Sequence, residues 1–182
     1  MDEQLEFMKA IARRLETAGI PYMVTGSMAM AAYAVPRMTR DIDVVIECRA
    51  HDADLIHRLF EADCYVDAES IRDAIARRST FNIIHSQWII KADFIVRKDE
   101  RYREVEFARR RQLDVEGTIL SVVAPEDLIL SKLVWSRESD SEIQRRDARM
   151  VAESVATLDW FYLEQWATAL GIQSLLDEVR KQ

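Results

Sequence analysis

The sequence predicts an α/β (α+β) chain: a small mixed sheet flanked by helices, followed by a C-terminal helical bundle. Three observations carry this. Up to about residue 123, short apolar runs rich in β-branched residues alternate with amphipathic segments of helical period. Two of those runs, Asp41–Ile46 and Trp88–Val96, carry their charged residues on one parity only, as half-buried strands do. From Pro125 onward the apolar residues recur at helical spacing to the end. The expected organisation is a core over 1–123 and a helical part over 124–182, the latter too small to fold alone.

Taken in order, residues 2–18 predict an amphipathic helix, with Leu5, Met8, Ile11, Ala12 and Leu15 on one face and Gly19 and Pro21 ending it. Tyr22–Thr25 reads as a short strand. Gly26-Ser27 breaks it and opens an alanine-rich helix over Met28–Ala34, which must end before Pro36. Arg40–Glu47 is a second strand and 52–63 a helix with Leu55, Ile56, Leu59 and Phe60 on one side. A helix over 69–78 follows. Phe81–His85 and Trp88–Arg97 form a hairpin around a Ser86-Gln87 turn, and strands are expected at 105–114 and 118–123 around Gly117. Proline at a first helical position, with Glu126 and Asp127 behind it, starts a helix at Pro125. Four helices are expected there, over 126–138, 142–156, 159–170 and 172–180. Trp135, Trp160, Tyr162 and Trp166 read as its core.

Hydrophobic residues make up 49% and charged residues 31%, a balance that excludes disordered and fibrous classes. The 2 cysteines, Cys48 and Cys64, form no CxxC pair, so neither a zinc site nor a disulfide framework is expected. The acidic start and the lack of a long apolar run lead to the expectation of a cytoplasmic protein with no membrane partner. A net charge of -7 disfavours a dedicated duplex DNA binder. Arg109-Arg110-Arg111 and Arg145-Arg146-Arg149 are either a local nucleic-acid patch or solvated faces.

The chemistry concentrates in three acids. Along a strand, side chains two apart share a face, so Asp41 and Asp43 lie ~6–7 Å apart at Cα while Ile42, Val44 and Ile46 line the opposite, apolar face. Trp88–Val96 repeats the pattern, with Trp88, Ile90, Ala92, Phe94 and Val96 on one parity and Lys91 and Asp93 on the other. If the two strands lie side by side, Asp93 joins Asp41 and Asp43. Three such carboxylates repel and resist desolvation unless a positive charge sits among them. Mg²⁺ (or Mn²⁺), which takes oxygen ligands, answers that need. Upstream, a strand, a Gly26-Ser27 turn and a helix start suit a phosphate, with backbone N–H groups and the Ser27 hydroxyl facing it. Ser27 can equally be a plain N-cap.

Gly26-Ser27 followed, after a short spacer, by Asp41-Ile42-Asp43-Val44 resembles the signature of the DNA polymerase β-type nucleotidyltransferase superfamily. Asp93, in Lys91-Ala92-Asp93-Phe94-Ile95, stands where that family has its third carboxylate. Thr39-Arg40, the run Glu126–Leu133 and Arg145-Arg146-Asp147 are similar to the AbiEii-type nucleotidyltransferases, which include toxins of toxin–antitoxin systems. So is the tail from Leu158 to Gly171. Where that pattern usually has Lys beside the last Asp, this chain has Arg146.

The resemblance implies a nucleotidyltransferase-type sheet and a metal-dependent enzyme that moves an NMP from an NTP to an RNA, such as tRNA, or to a protein hydroxyl. It implies Asp41, Asp43 and Asp93 as catalytic metal ligands, and Gly26, Ser27, Arg40 and Lys132 as nucleotide-binding residues. Arg146 and Asp147 are assigned to the acceptor or to structure. Lys132 lies beside an apolar stripe, along which a lysine stem can deliver its ammonium to the edge of the cleft. A cognate antitoxin is an implied partner. The same fold also serves nucleotide sensors and contact-only partners, so three function classes stay open.

Overall fold

A computed structural model describes residues 2–35 and 41–180. Helix α1 (Asp2–Thr17) leads into β1 (Tyr22–Thr25), α2 (Gly26–Met30) and β2 (Asp41–Ile46). A 3-10 turn at Ala50–Asp52 opens α3 (Ala53–Phe60), followed by β3 (Cys64–Tyr65), α4 (Ala68–Arg77), β4 (Thr80–His85) and β5 (Lys91–Val96). Then come α5 (Arg101–Ala108), β6 (Arg111–Val115) and β7 (Thr118–Val122). The chain continues through α6 (Pro125–Ser139), α7 (Glu142–Ser154), α8 (Trp160–Leu170) and α9 (Gln173–Arg180).

The strands form one mixed sheet of 7 in the order β3-β4-β5-β2-β1-β7-β6. The acid-bearing strands β2 and β5 lie side by side and parallel, and β1 runs antiparallel to β2. One sheet face carries Tyr22, Val24, Ile42, Val44, Ile46, Phe81, Ile83, Ala92, Phe94 and Val96, all buried. Against it pack Phe7 of α1, whose ring meets His85 edge-on at 5.0 Å, and Phe60 of α3, which meets Phe94 at 5.5 Å. An apolar parity on every central strand is thus the core, while the other parity carries the acids of β2 and β5 beside the buried Met23 of β1.

Helix α6 buries residues all round, from Pro125 to Leu130 without a break, as a helix does when it is enclosed by neighbours. Leu133, Ala148 of α7, Leu163 and Ala167 of α8, and Leu176 of α9 complete the packing around it. Three further ties hold the N-terminus of α6. Arg109 Nε donates to Asp127 Oδ2 at 2.9 Å, Tyr162 Oη donates to Asp127 Oδ1 at 2.5 Å, and the Asp159 backbone N–H donates to Glu126 at 3.2 Å.

Several local expectations are corrected. Residues 105–108 are helical, not strand: the buried face of α5 is Tyr102, Glu106 and Phe107, and a buried glutamate carries no hydrophobic signal. Glu106 instead accepts from Arg103 at 2.8 Å and from Ser131 at 2.5 Å. The β4–β5 turn is wider than Ser86-Gln87, because the His85 N–H donates to Ile90 O at 2.9 Å. Trp88 folds back there and stacks on His85 at 4.1 Å. Helix α2 stops at Met30 and tightens into i→i−3 bonds, such as Tyr33 N–H to Met30 O at 3.0 Å. Trp135 is 50% exposed and lies outside the core that Trp160, Tyr162 and Trp166 help to line. The two-residue strand β3 was too short to register as a pattern.

Candidate active site

The face opposite the core gathers the acids. Register places Thr25 opposite Asp43, Asp43 opposite Asp93, and Asp93 opposite Asn82, so these four make one row across β1, β2, β5 and β4. The adjoining row holds Asp41 opposite Lys91, then Ile84 and Tyr65. Asp41, Asp43 and Asp93 therefore share the open face, Asp41 exposed and the other two half-buried.

Gly26 closes one end of the row. Its backbone has φ +64, and a Cβ built there would stand 2.0 Å from Asp43 Oδ2, inside any allowed contact. Glycine is thus required twice over: for the left-handed backbone and for the approach of main chain to carboxylate. Gly26→Ala should destabilise the protein by about 1–3 kcal/mol through the strained backbone alone. It should also turn the Asp43 carboxylate away from its place. Chemical denaturation gives the first effect and a Mn²⁺ titration the second. A variant as stable and as metal-responsive as the wild type would contradict this geometry.

Burial, reinforced by the nearby charges of Asp93 and Asp41, pushes the Asp43 carboxyl up to about 6, while Lys132 and Lys91 pull it back down. Among the described residues, burial and mutual repulsion thus outweigh the nearby positive charge at Asp43. Part of the repulsion is offset internally, since Lys91 Nζ lies 2.9 Å from Asp93 Oδ2 and 3.8 Å from Asp41 Oδ1. Lys91 was legible by its parity with Asp93, yet sequence reasoning gave it no role. Among the described residues, no three His, Cys, Asp or Glu side chains already form a cage for an ion. The donor set itself, carboxylate oxygens in a field that favours a cation, is of the kind Mg²⁺ or Mn²⁺ takes.

The other expected site residues divide. Ser27 is buried at the start of α2, a helix of 5 residues rather than the longer one expected. Lys132 is not at an exposed edge. It is 3% exposed, and its Nζ donates to Asp147 Oδ2 at 2.8 Å and to Gln144 Oε1 at 3.1 Å. Its charge still reaches Asp43, so α6 brings a cation to the carboxylate side of the sheet. Arg146 is exposed beside the buried Asp147. Arg40 and Thr39 lie outside the described residues.

The Arg109–Arg111 cluster is engaged within the chain, although Arg111 stays exposed. Arg109 reaches Asp127 and Glu126 and lies 3.8 Å from the Tyr162 ring centre. Arg110 covers the Phe107 ring at 4.4 Å, and Arg111 is 3.5 Å from Glu126. Acids of α6 take up much of the charge that a nucleic acid would need.

The sequence matches no family model and no curated protein. Solved structures similar to the chain include an antigenic nucleotidyltransferase-like protein from Paracoccidioides brasiliensis. It is 17% identical at a TM-score of 0.60, with 83% of this chain and 74% of that one covered. The adenylyltransferase ANT(2")-Ia, solved in complex with adenylyl-2"-tobramycin, is 15% identical at a TM-score of 0.59, with 93% and 97% covered. The lincosamide antibiotic adenylyltransferase LnuA, bound to lincomycin, is 13% identical at 0.56, with 85% and 98% covered. The fold is thus of the nucleotidyltransferase type. Among the described residues, no helix is long and apolar enough to cross a membrane.

Proposed function

We propose that the chain is a metal-dependent nucleotidyltransferase that moves an NMP from an NTP to an acceptor hydroxyl. The observation that carries this reading is the row joining Asp43 and Asp93, with Gly26 pressed against Asp43 and Asp41 beside it on the same open face. Asp41, Asp43 and Asp93 are the residues that would hold Mg²⁺ or Mn²⁺, which when bound supplies Lewis-acid stabilisation of phosphate charge.

The chain's own groups take the remaining roles. The Gly26 backbone and Ser27 hydroxyl hold the terminal phosphates. The acceptor oxygen bonds to the α-phosphorus, the bond to pyrophosphate breaks, and Asp93 accepts the acceptor's proton. Lys132, fixed by Asp147, biases the cleft toward anions, and Arg40 adds charge from the segment before β2. In this reading residues 1–123 are the nucleotidyltransferase core and 124–182 a helical part that contributes Lys132.

The acceptor reading of RNA, tRNA included, loses the support of Arg109 and Arg111, which pair with acids of α6, and of Arg110, which lies over Phe107. A protein hydroxyl remains in keeping with the site. The likeness to enzymes whose acceptors are tobramycin and lincosamides adds a hydroxylated small molecule. The AbiEii-type subgroup, with a toxin role and a cognate antitoxin, rests on the motif resemblance through Lys132 and Asp147. Both cysteines are free and buried, which agrees with a cytoplasmic site of action.

Metal with NTP should raise the melting temperature of the wild type, since a ligand of the folded state alone stabilises it. Asp41→Asn combined with Asp43→Asn should abolish that rise. The same rise in the double variant would remove these acids from the metal site.

A further inference from the structure

Lys91 opens β5 opposite Asp41 in register, on the open face of the sheet, two residues before Asp93. Its ammonium lies 2.9 Å from Asp93 and 3.8 Å from Asp41. One ammonium offers three N–H donors and a single charge, so it cannot neutralise three carboxylates. Its side chain is 39% exposed and that of Asp93 23%. An ion pair as open to water as this one contributes little to stability, and its four-carbon stem can swing to solvent. It is held, but not locked.

We propose that Lys91 is a resident counter-ion of the carboxylate row: it pairs with Asp93 and Asp41 while the site lacks a divalent ion, and it leaves when that ion binds. Lys91 thereby sets the metal concentration at which the site fills. This rests on the metal reading above and deepens it. The reason is competition for one oxygen. Asp93 Oδ2 cannot keep its ammonium at 2.9 Å and also bind a divalent ion at ~2.0–2.1 Å without bringing two cations within a few ångströms. At that range like charges repel strongly in a partly buried site. The doubly charged ion, which Asp41, Asp43 and Asp93 would hold, would prevail over a single ammonium.

The test is a Mn²⁺ titration of nucleotide-free protein, read both by melting temperature and by calorimetry. It compares the wild type with Lys91→Met, Lys91→Arg and Lys98→Met. Lys91→Met should melt only slightly lower without metal, because the acids then repel with one counter-charge fewer. Its half-saturating Mn²⁺ concentration should fall by about tenfold, as one competing positive charge is gone. Lys91→Arg, which keeps the charge, should saturate no earlier than the wild type. Lys98→Met removes the same charge from the exposed segment beyond β5 and should stay within about twofold, since solvent ions screen it. Equal or later saturation of Lys91→Met, in a wild type that responds to Mn²⁺, overturns the role of Lys91 alone. A folded wild type that shows no Mn²⁺ response overturns the metal reading, and this proposal with it.

Discussion

Lys132→Met should lower unfolding free energy by about 3–5 kcal/mol, because it breaks a buried ion pair. Lys132 is 3% exposed and Asp147 0%, and their 2.8 Å contact joins α6 to α7. Removing the ammonium takes from a fully buried carboxylate the counter-charge 2.8 Å away, and the desolvation already incurred is offset less. The reading of Lys132 as an edge residue predicts the opposite, a variant that folds normally. Lys132→Met with Asp147→Leu separates the two. The double variant replaces the pair by apolar groups and should recover most of the loss, as such exchanges often do. Urea denaturation of the four members of the cycle gives the coupling directly. A single-variant loss under about 1 kcal/mol, the range of exposed pairs, would return Lys132 to the surface. The double variant also isolates the role of Lys132 toward nucleotide: if the lysine biases the cleft, the refolded protein binds NTP more weakly than the wild type.

How much of this was legible in the sequence follows from which signals are periodic. Asp41 and Asp43 were readable because Ile42, Val44 and Ile46 fix the parity of β2, and parity fixes the face. Asp93 was readable for the same reason, through Ala92, Phe94 and Val96. What parity does not give is adjacency. That β2 and β5 are parallel neighbours, with Asp43 opposite Asp93, depends on a crossover through α3, β3, α4 and β4. The burial of Lys132 was hidden because its partner Asp147 lies on the next helix. A charged residue reads as surface unless its counter-charge is seen. Glu106 misled for the same reason, its burial being met by Arg103 and Ser131. Gly26 was noted as a turn, but its second constraint, contact with Asp43, exists only once β1 and β2 are paired.

Asp93→Asn should cut nucleotidyl transfer by about 10²–10⁴-fold, the range lost with a positioned general base, while leaving NTP binding within a few fold. The position of Asp93 in the row argues for this division. Gly26 is pressed against Asp43 at the β1 side, so phosphates held there approach Asp43 first. Asp93 stands one strand further away, opposite Asn82 on β4, on the side left for the acceptor. Asparagine keeps the shape and can still accept a hydrogen bond from Lys91, so the fold and the row should persist. What it cannot do is accept a proton from the acceptor hydroxyl. The measurement pairs NTP binding, read by melting temperature with Mg²⁺, with label transfer from each of the four α-labelled NTPs. Cell RNA, cell protein and hydroxylated small molecules serve as acceptor pools. A loss confined to transfer assigns Asp93 to the acceptor side. Equal loss of NTP binding makes it a nucleotide ligand instead, and unchanged transfer removes it from the chemistry. If wild type and variant both bind NTP and neither transfers label to any pool, the chain is a nucleotide sensor on an enzyme fold.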